Sequence, residues 1–265
     1  MLGVHSLSTT TLNTNCCGYN SIKDLKNCIQ LSAILLKKST GRIVLYTDNE
    51  GSKLVQDFAH LYEDIVVDLD CLNWVQPHNW AFSKLYVFTK IKEPFVHIDN
   101  DVFLWDGLPK HFFNPKKVDA FFQGVEHFDM YKHYLERIKT NSDVLPKSIL
   151  IENLPYAYNC GVVGFNDLSI IDTYYKTAKN YVLKNQQYNW DGIDYDLKNG
   201  QPLLFEQWFI AFFCKAKKVD FLLNEDTSPK YQHRYTHLLS TSKKNVQHMQ
   251  QVERKLKMLK LQTIM

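Results

Sequence analysis

Strand-length apolar runs and longer stretches of helical period alternate along the N-terminal part of the chain. Leu2 to Leu7 is short and apolar, and the polar stretch from Ser8 to Asn15 behind it predicts a loop at a strand end. From Asn20 to Lys38, the residues Ile22, Leu25, Cys28, Ile29, Leu35 and Leu36 keep a helical spacing that only the small Ser32 interrupts. Asn20 or Ser21 is placed to cap this helix and Gly41 to stop it. Arg42 to Tyr46 is then a strand-like run ending in Thr47, Asp48 and Asn49, followed by a second helical segment to Leu61 and a strand at Ile65 to Asp68. Trp80 to Lys90 reads as a helix that leads through Pro94 into a strand, Phe95 to Ile98, closing on Asp99, Asn100 and Asp101. This alternation predicts an α/β fold whose central sheet is mostly parallel, with right-handed crossovers placing helices on both faces.

The rest of the chain continues in kind. Strands are expected at Asp119 to Val125, Gly161 to Phe165 and Val219 to Leu223. Helices are expected around Met130 to Lys139, after a cap at Asn166 or Asp167, over Leu203 to Lys215, and from Asn245 to Leu261. No internal repeat or low-complexity tract is present. The last helix places Val246, Met249, Val252, Leu256 and Leu259 on one face, with Arg254, Lys255, Lys257 and Lys260 supplying positive charge. It suits docking on the domain or lying against an anionic membrane.

Composition narrows the function classes. With 265 residues, 45% hydrophobic and 14% aromatic, the chain can bury a core without disulfides or structural zinc. A formal charge of +3 arises from nearly balanced acids and bases, so no global field favours nucleic acid as a partner. The six cysteines, at positions 16, 17, 28, 71, 160 and 214, show no zinc-ligand spacing and read as reduced core residues. No run approaches the ~20 apolar residues that cross a bilayer. A cytoplasmic protein is expected, with any membrane contact peripheral at the inner face.

The candidate chemistry lies at the end of the strand Phe95 to Ile98. Asp-x-Asp is a weak string, and the chain has three, at Asp68/Asp70, Asp99/Asp101 and Asp194/Asp196. Only Asp99/Asp101 lies between two apolar runs, Phe95-Val-His-Ile98 and Val102-Phe-Leu-Trp105, which hold both carboxylates at a nearly dry sheet edge. Ligands of open α/β sheets bind beyond such strand ends. Two like charges there push one another toward protonation unless a cation intervenes, and hard oxygen donors suit Mg²⁺ or Mn²⁺. The plain alternative is a solvated pair of carboxylates at a strand-to-loop boundary.

The stretch Ala81-Phe-Ser-Lys-Leu-Tyr86, with Pro94-Phe-Val-His-Ile-Asp-Asn-Asp-Val-Phe-Leu-Trp105, resembles the core of GT-A glycosyltransferases. The resemblance is especially to families like the family 8 enzymes and the bacterial polysaccharide transferases. Tyr158-Asn-Cys-Gly-Val-Val-Gly-Phe165 is similar to their Asn-x-Gly strand and Phe205-Glu-Gln-Trp-Phe209 to their acid-bearing helix, all in the family's order. The resemblance implies a Rossmann-like GT-A domain over residues 1–242, with 243–265 as a basic amphipathic appendage. It also implies a divalent-metal-dependent hexosyl transfer from a nucleotide-sugar, a UDP-sugar first, to a glycan or lipid-linked acceptor in polysaccharide biosynthesis. In that frame Asp101 is the principal metal ligand, with Asp99 contacting metal, ribose or both and Asn100 beside them in the donor site. Lys84 reaches the donor, or is a solvated lysine on a helix face. Trp80 lines the donor pocket, or is an aromatic of the core. Asn159 presents its amide to sugar or acceptor, with Gly161 allowing close backbone approach, or is a turn Asn. Glu206, with Gln207 beside it, is the catalytic candidate, since an acid between Phe205 and Trp208 needs a partner or a task. His237 offers a third metal ligand, and Lys243 or Lys244 a phosphate contact, although the family's intervening Gly and Lys-Pro-Trp ending are absent.

Two rivals remain from the sequence. A haloacid-dehalogenase-type phosphatase would use Asp99 as nucleophile and Asp101 as general acid, but its motif closes the first strand of a domain, and here two or three strand-helix units precede it. A non-catalytic GT-A-like module would bind nucleotide-sugar or glycan without turnover.

Overall fold

In the computed structural model, residues 1–10, 12, 16–127, 147–152, 154–186, 200–223 and 235–264 are described. In chain order the main elements are β1 (Leu2–Leu7), α1 (Ile22–Thr40), β2 (Ile43–Thr47), α2 (Asn49–Leu54), β3 (Asp64–Val67), α3 (Phe82–Lys90), β4 (Phe95–Ile98) and β5 (Val102–Leu104). There follow β6 (Ala120–His127), α4 (Lys147–Glu152), β7 (Tyr156–Phe165), α5 (Ile171–Gln186), α6 (Phe209–Cys214), β8 (Val219–Phe221), β9 (Tyr235–His237) and α7 (Val246–Ile264). The chain divides into two compact units. The first combines Met1–Asp70, Val96–Leu108 and Thr227–Met265; the second combines Cys71–Phe95 and Pro109–Asp226.

In the first unit the strands run in the order β3, β2, β1, β4. β1 and β2 pair in parallel, Val4 opposite Val44, as do β2 and β3, Leu45 opposite Ile65. All four residues of β4 are buried, as a strand covered on both faces should be, while β3 at the edge is half exposed. α1 starts where Ser21 Oγ accepts from the Asp24 N–H at 3.1 Å and donates to Asp24 Oδ2 at 2.8 Å. It ends at Gly41, whose φ of 83° lets its N–H return to Lys37 O at 2.8 Å, a conformation costly for any residue with a Cβ. The buried face of α1 carries Leu25, Cys28, Ile29, Leu35 and Leu36. α7 packs on α1 and buries Met249, Val252 and Leu256. A separate antiparallel pair joins β5 to β9, Val102 opposite His237.

In the second unit the order is β7, β6, β8, with β6–β7 antiparallel and β6–β8 parallel. Across the first of these, Gly164 faces Phe121, and a Cβ on Gly164 would lie 2.0 Å from the phenyl ring, so only glycine fits. Phe88, Phe95, Phe122 and Phe165 form an aromatic core within this unit. Among the described residues the parallel pairings β1–β2, β2–β3 and β6–β8 outnumber the antiparallel pairings β6–β7 and β5–β9, in keeping with the expected α/β class.

Several expectations need correction. The helical segment before Leu61 is a six-residue α2 followed by a 3-10 turn, Gln56–Leu61, kinked at Phe58. Neither Asn166 nor Asp167 is the residue before α5, which opens at Ile171. Asn166 instead donates its amide to Phe112 O and Val118 O, both at 2.8 Å, and Asp167 Oδ1 accepts from the Ser169 N–H. β5 and β9 were not expected as strands. Only Cys28, Cys160 and Cys214 are core residues; Cys16 and Cys17 are half-buried and Cys71 is exposed, all six being unbridged. Val246, expected on the apolar face of the last helix, is 63% exposed because the helix only begins there. The helix expected at Met130 to Lys139 and the Asp194/Asp196 pair lie outside the described residues. No described helix is long and apolar enough to cross a membrane.

Candidate functional site

The acidic turn is built from the end of β4. Asp99 O accepts the Val102 N–H at 3.0 Å, closing a tight reversal that carries the chain from β4 into β5. The turn is fastened from three sides within the first unit. Asn100 Nδ2 donates to Ser6 O at 2.8 Å, Ser32 Oγ donates to Asp99 O at 3.4 Å, and the Leu238 N–H donates to Asp101 O at 3.1 Å. The last of these extends the β5–β9 pairing by one residue and explains why His237 comes to the turn.

Asp99, Asp101 and His237 each present one ligand atom, and these atoms lie within 4.8 Å of one another. Asp101 is buried and Asp99 partly exposed. Burial by itself would raise the Asp101 carboxyl. Lys243 Nζ at 2.7 Å and His237 Nε2 at 3.5 Å outweigh it and hold the group well below the usual carboxylate range. The ammonium of Lys243 also lies 5.4 Å from the centre of the buried Tyr19 ring. Two hard oxygen donors and one imidazole fit Mn²⁺ chemistry, and Asn100 Oδ1 is a further buried oxygen with no hydrogen-bond partner among the described residues.

Other expected residues gather in the second unit. Lys84 is 4% exposed, not a solvated lysine on a helix face: it donates to Cys160 O at 3.0 Å and forms a buried ion pair with Glu206. Glu206 and Gln207 lie in a π-helical segment, Leu204–Trp208, where the Phe209 N–H reaches back to Leu204 O. That wider turn leaves the Glu206 carbonyl to accept from Tyr174 Oη at 2.8 Å and Cys160 Sγ at 3.6 Å. Asn159 Oδ1 accepts the Gly161 N–H at 3.0 Å and its amide donates to Glu126. Trp80, read as a core aromatic or as pocket lining, is 46% exposed, so the core reading is overturned. The Asp70 carboxylate of the first decoy pair accepts from the Asn49 N–H at 3.1 Å and Asn49 Nδ2 at 2.6 Å, a structural task.

Two groups at the sites were not foreseen. His97 is buried in β4 with its Nε2 2.9 Å from Ser6 Oγ and its Nδ1 4.0 Å from Asp99 Oδ1. A histidine inside a fully buried apolar run was a readable signal. Glu126 had none, because its pairing depends on the β-bulge between Phe122 and Gly124 that sets the register of β6 on β7.

A family model described as a family of unknown function (DUF6734) matches residues 1–261. The chain belongs to that family. No curated protein matches it. Among solved structures it is similar to a glycosyltransferase involved in the glycosylation of the major capsid of PBCV-1, at 12% identity and a TM-score of 0.44, covering 96% of this chain and 98% of that one. It is also similar to mouse xyloside xylosyltransferase 1 in its apo form, at 12% identity and a TM-score of 0.45, covering 91% of this chain and 98% of that one. Both neighbours are glycosyltransferases by description.

Proposed function

We propose that this chain is a divalent-metal-dependent glycosyltransferase acting on a nucleotide-sugar, with Asp99, Asp101 and His237 as the metal-holding set. The observation that carries the reading is this mixed oxygen and nitrogen cluster at the end of β4, kept ionised and tied to the backbone on several sides. Its one imidazole favours Mn²⁺ over Mg²⁺, which prefers an all-oxygen shell. When bound, the metal supplies Lewis-acid stabilisation of the charge that develops on the departing nucleoside diphosphate. The chain's own residues orient and hold. The Asn100 amide, committed to Ser6 O, shapes the turn, leaving donor contact to its neighbours. Lys243 supplies a nearby cation for phosphate. In the second unit, Asn159 and Gly161 on β7 serve sugar or acceptor, and Gln207 stands beside Glu206 in the π-helical segment. Trp80 offers an exposed face for stacking on a sugar ring. Glu206 is held by Lys84 at one oxygen, so it serves as an oriented hydrogen-bond acceptor for a substrate hydroxyl better than as a free base. A UDP-sugar donor, a glycan or lipid-linked acceptor and a role in polysaccharide biosynthesis are the finer form of the proposal.

The phosphatase alternative fits less well. It needs Asp101 as a general acid carrying a proton, whereas Lys243 and His237 hold that carboxyl in its ionised form against the effect of burial. The test is a thermal-shift screen of nucleoside diphosphates and their sugars, with and without Mn²⁺, on wild type and Asp101→Asn. At a ligand concentration of about 100 Kd, stabilisation of about 2.7 kcal/mol is expected in wild type with metal, and little in the variant. No metal-dependent shift with any nucleotide, or an equal shift in Asp101→Asn, sinks the reading. A shift without transfer to any acceptor would assign the non-catalytic module.

A further inference from the structure

The carboxylate of Asp101 already has a cation. Lys243 Nζ lies 2.7 Å from Oδ2, while Oδ1 faces His237 Nε2 at 3.5 Å, so both oxygens are engaged. The ammonium is enclosed further by the Tyr19 ring, and the Lys243 stem passes near Gly18, where a Cβ would lie 3.5 Å from Lys243 Cδ. This satisfies a buried carboxylate that would otherwise be costly to desolvate. A divalent ion seeking the same carboxylate meets a positive charge in contact with it, and the two cations repel at short range in a poorly solvated place.

We infer that Lys243 is a built-in counterion that competes with the divalent cation for Asp101, making metal binding weak in the free protein and coupling it to arrival of a diphosphate. The inference rests on the metal-site reading above and goes beyond it by specifying how occupancy is regulated. Lys243 sits in a 3-10 turn, Ser240–Lys244, between β9 and α7, and its side chain is 24% exposed. A four-carbon stem can therefore swing its ammonium off Asp101 while β9, which carries His237, stays paired with β5. The displaced ammonium needs a new anion, and a diphosphate brought to the metal provides one. Metal and diphosphate then favour each other's binding by equal factors, as linkage requires.

Calorimetric titration of MnCl₂ into the full chain without nucleotide tests this on wild type, Lys243→Met, Lys243→Arg and Asp101→Asn. Lys243→Met removes the charge but keeps the stem, and its Mn²⁺ affinity should rise about tenfold or more over wild type, since an ion pair no longer has to break. Lys243→Arg should stay near wild type and Asp101→Asn should lose binding. Adding UDP should raise the Mn²⁺ affinity of wild type by a clearly larger factor than that of Lys243→Met. Equal or weaker Mn²⁺ binding by Lys243→Met overturns the inference while leaving the metal site standing. Wild type and Lys243→Met both binding no better than Asp101→Asn would overturn the metal-site reading itself. If Lys243→Met fails to fold without metal, its refolding midpoint in Mn²⁺ gives the same comparison: the inference requires metal to raise that midpoint more than it raises that of wild type.

Discussion

His5 illustrates what burial does to one side chain here. The ring is fully buried in β1, with Nδ1 3.0 Å from Tyr62 Oη and Nε2 3.2 Å from Ser32 Oγ, and burial pushes its pKa down from 6.5 to about 3. Between those two pH values the unfolded chain takes up a proton that the folded chain refuses. Stability should therefore fall as the solution is acidified through that window, by about 1.4 kcal/mol per pH unit. Urea midpoints at pH 7 and pH 5 should show wild type losing about 2 kcal/mol more than His5→Asn; parallel losses would remove the assignment. The contribution of Asp101 has the same sign but a lower window. Its folded-state pKa is depressed, so its stabilisation is present above 3.8 and is lost only on further acidification. The two effects occupy different parts of the titration. Ser32, which links His5 to the Asp99 carbonyl, interrupted the apolar period of α1 in the sequence, and its contacts account for that interruption.

Among the elements, α7 is the one whose role was open. Met249, Val252 and Leu256 are buried and α7 packs on α1, while Lys23 and Glu253 pair between the two helices at 3.3 Å. Lys255 Nζ lies 5.6 Å from the Trp105 ring. The apolar stripe is thus used inside the first unit, and a membrane-facing role would have to rest on the basic residues and the exposed Met258. Leu256→Ala should cost about 2–4 kcal/mol in urea denaturation, as deletion of buried methyl groups does. Val246→Ala, at an exposed position of the same helix, should stay within about 0.5 kcal/mol. A small effect at both positions would show that the helix is not docked in solution.

For the whole molecule, the order of the chain and the order of the units differ. The first unit takes its strands from the N-terminal residues, its acidic turn from Val96–Leu108 and His237, Lys243 and α7 from the C-terminal segment. Ending the chain after residue 226 should therefore abolish Mn²⁺ binding by calorimetry, since it deletes a ligand and β5's partner and uncovers α1. Retention of wild-type Mn²⁺ affinity would show that the metal site does not need the C-terminal segment.

Much of the secondary structure was legible because its causes are local. The β-branched run of β2, the Ser21 cap, the left-handed Gly41 and the apolar run of β4 act over a few residues, and each left its mark in the sequence. The acidic pair was marked for the same reason, by the apolar runs on either side of it. What the tertiary structure alone decided were the partners. Lys84 and Glu206 stand 122 positions apart, and nothing in either neighbourhood says that one neutralises the other. Lys243 and Asp101 meet only because β9 pairs with β5, and Glu126 reaches Asn159 only through a bulge that sets strand register. Charges in a low-dielectric interior must find counterions wherever the fold brings them, and chain topology selects which ones they meet.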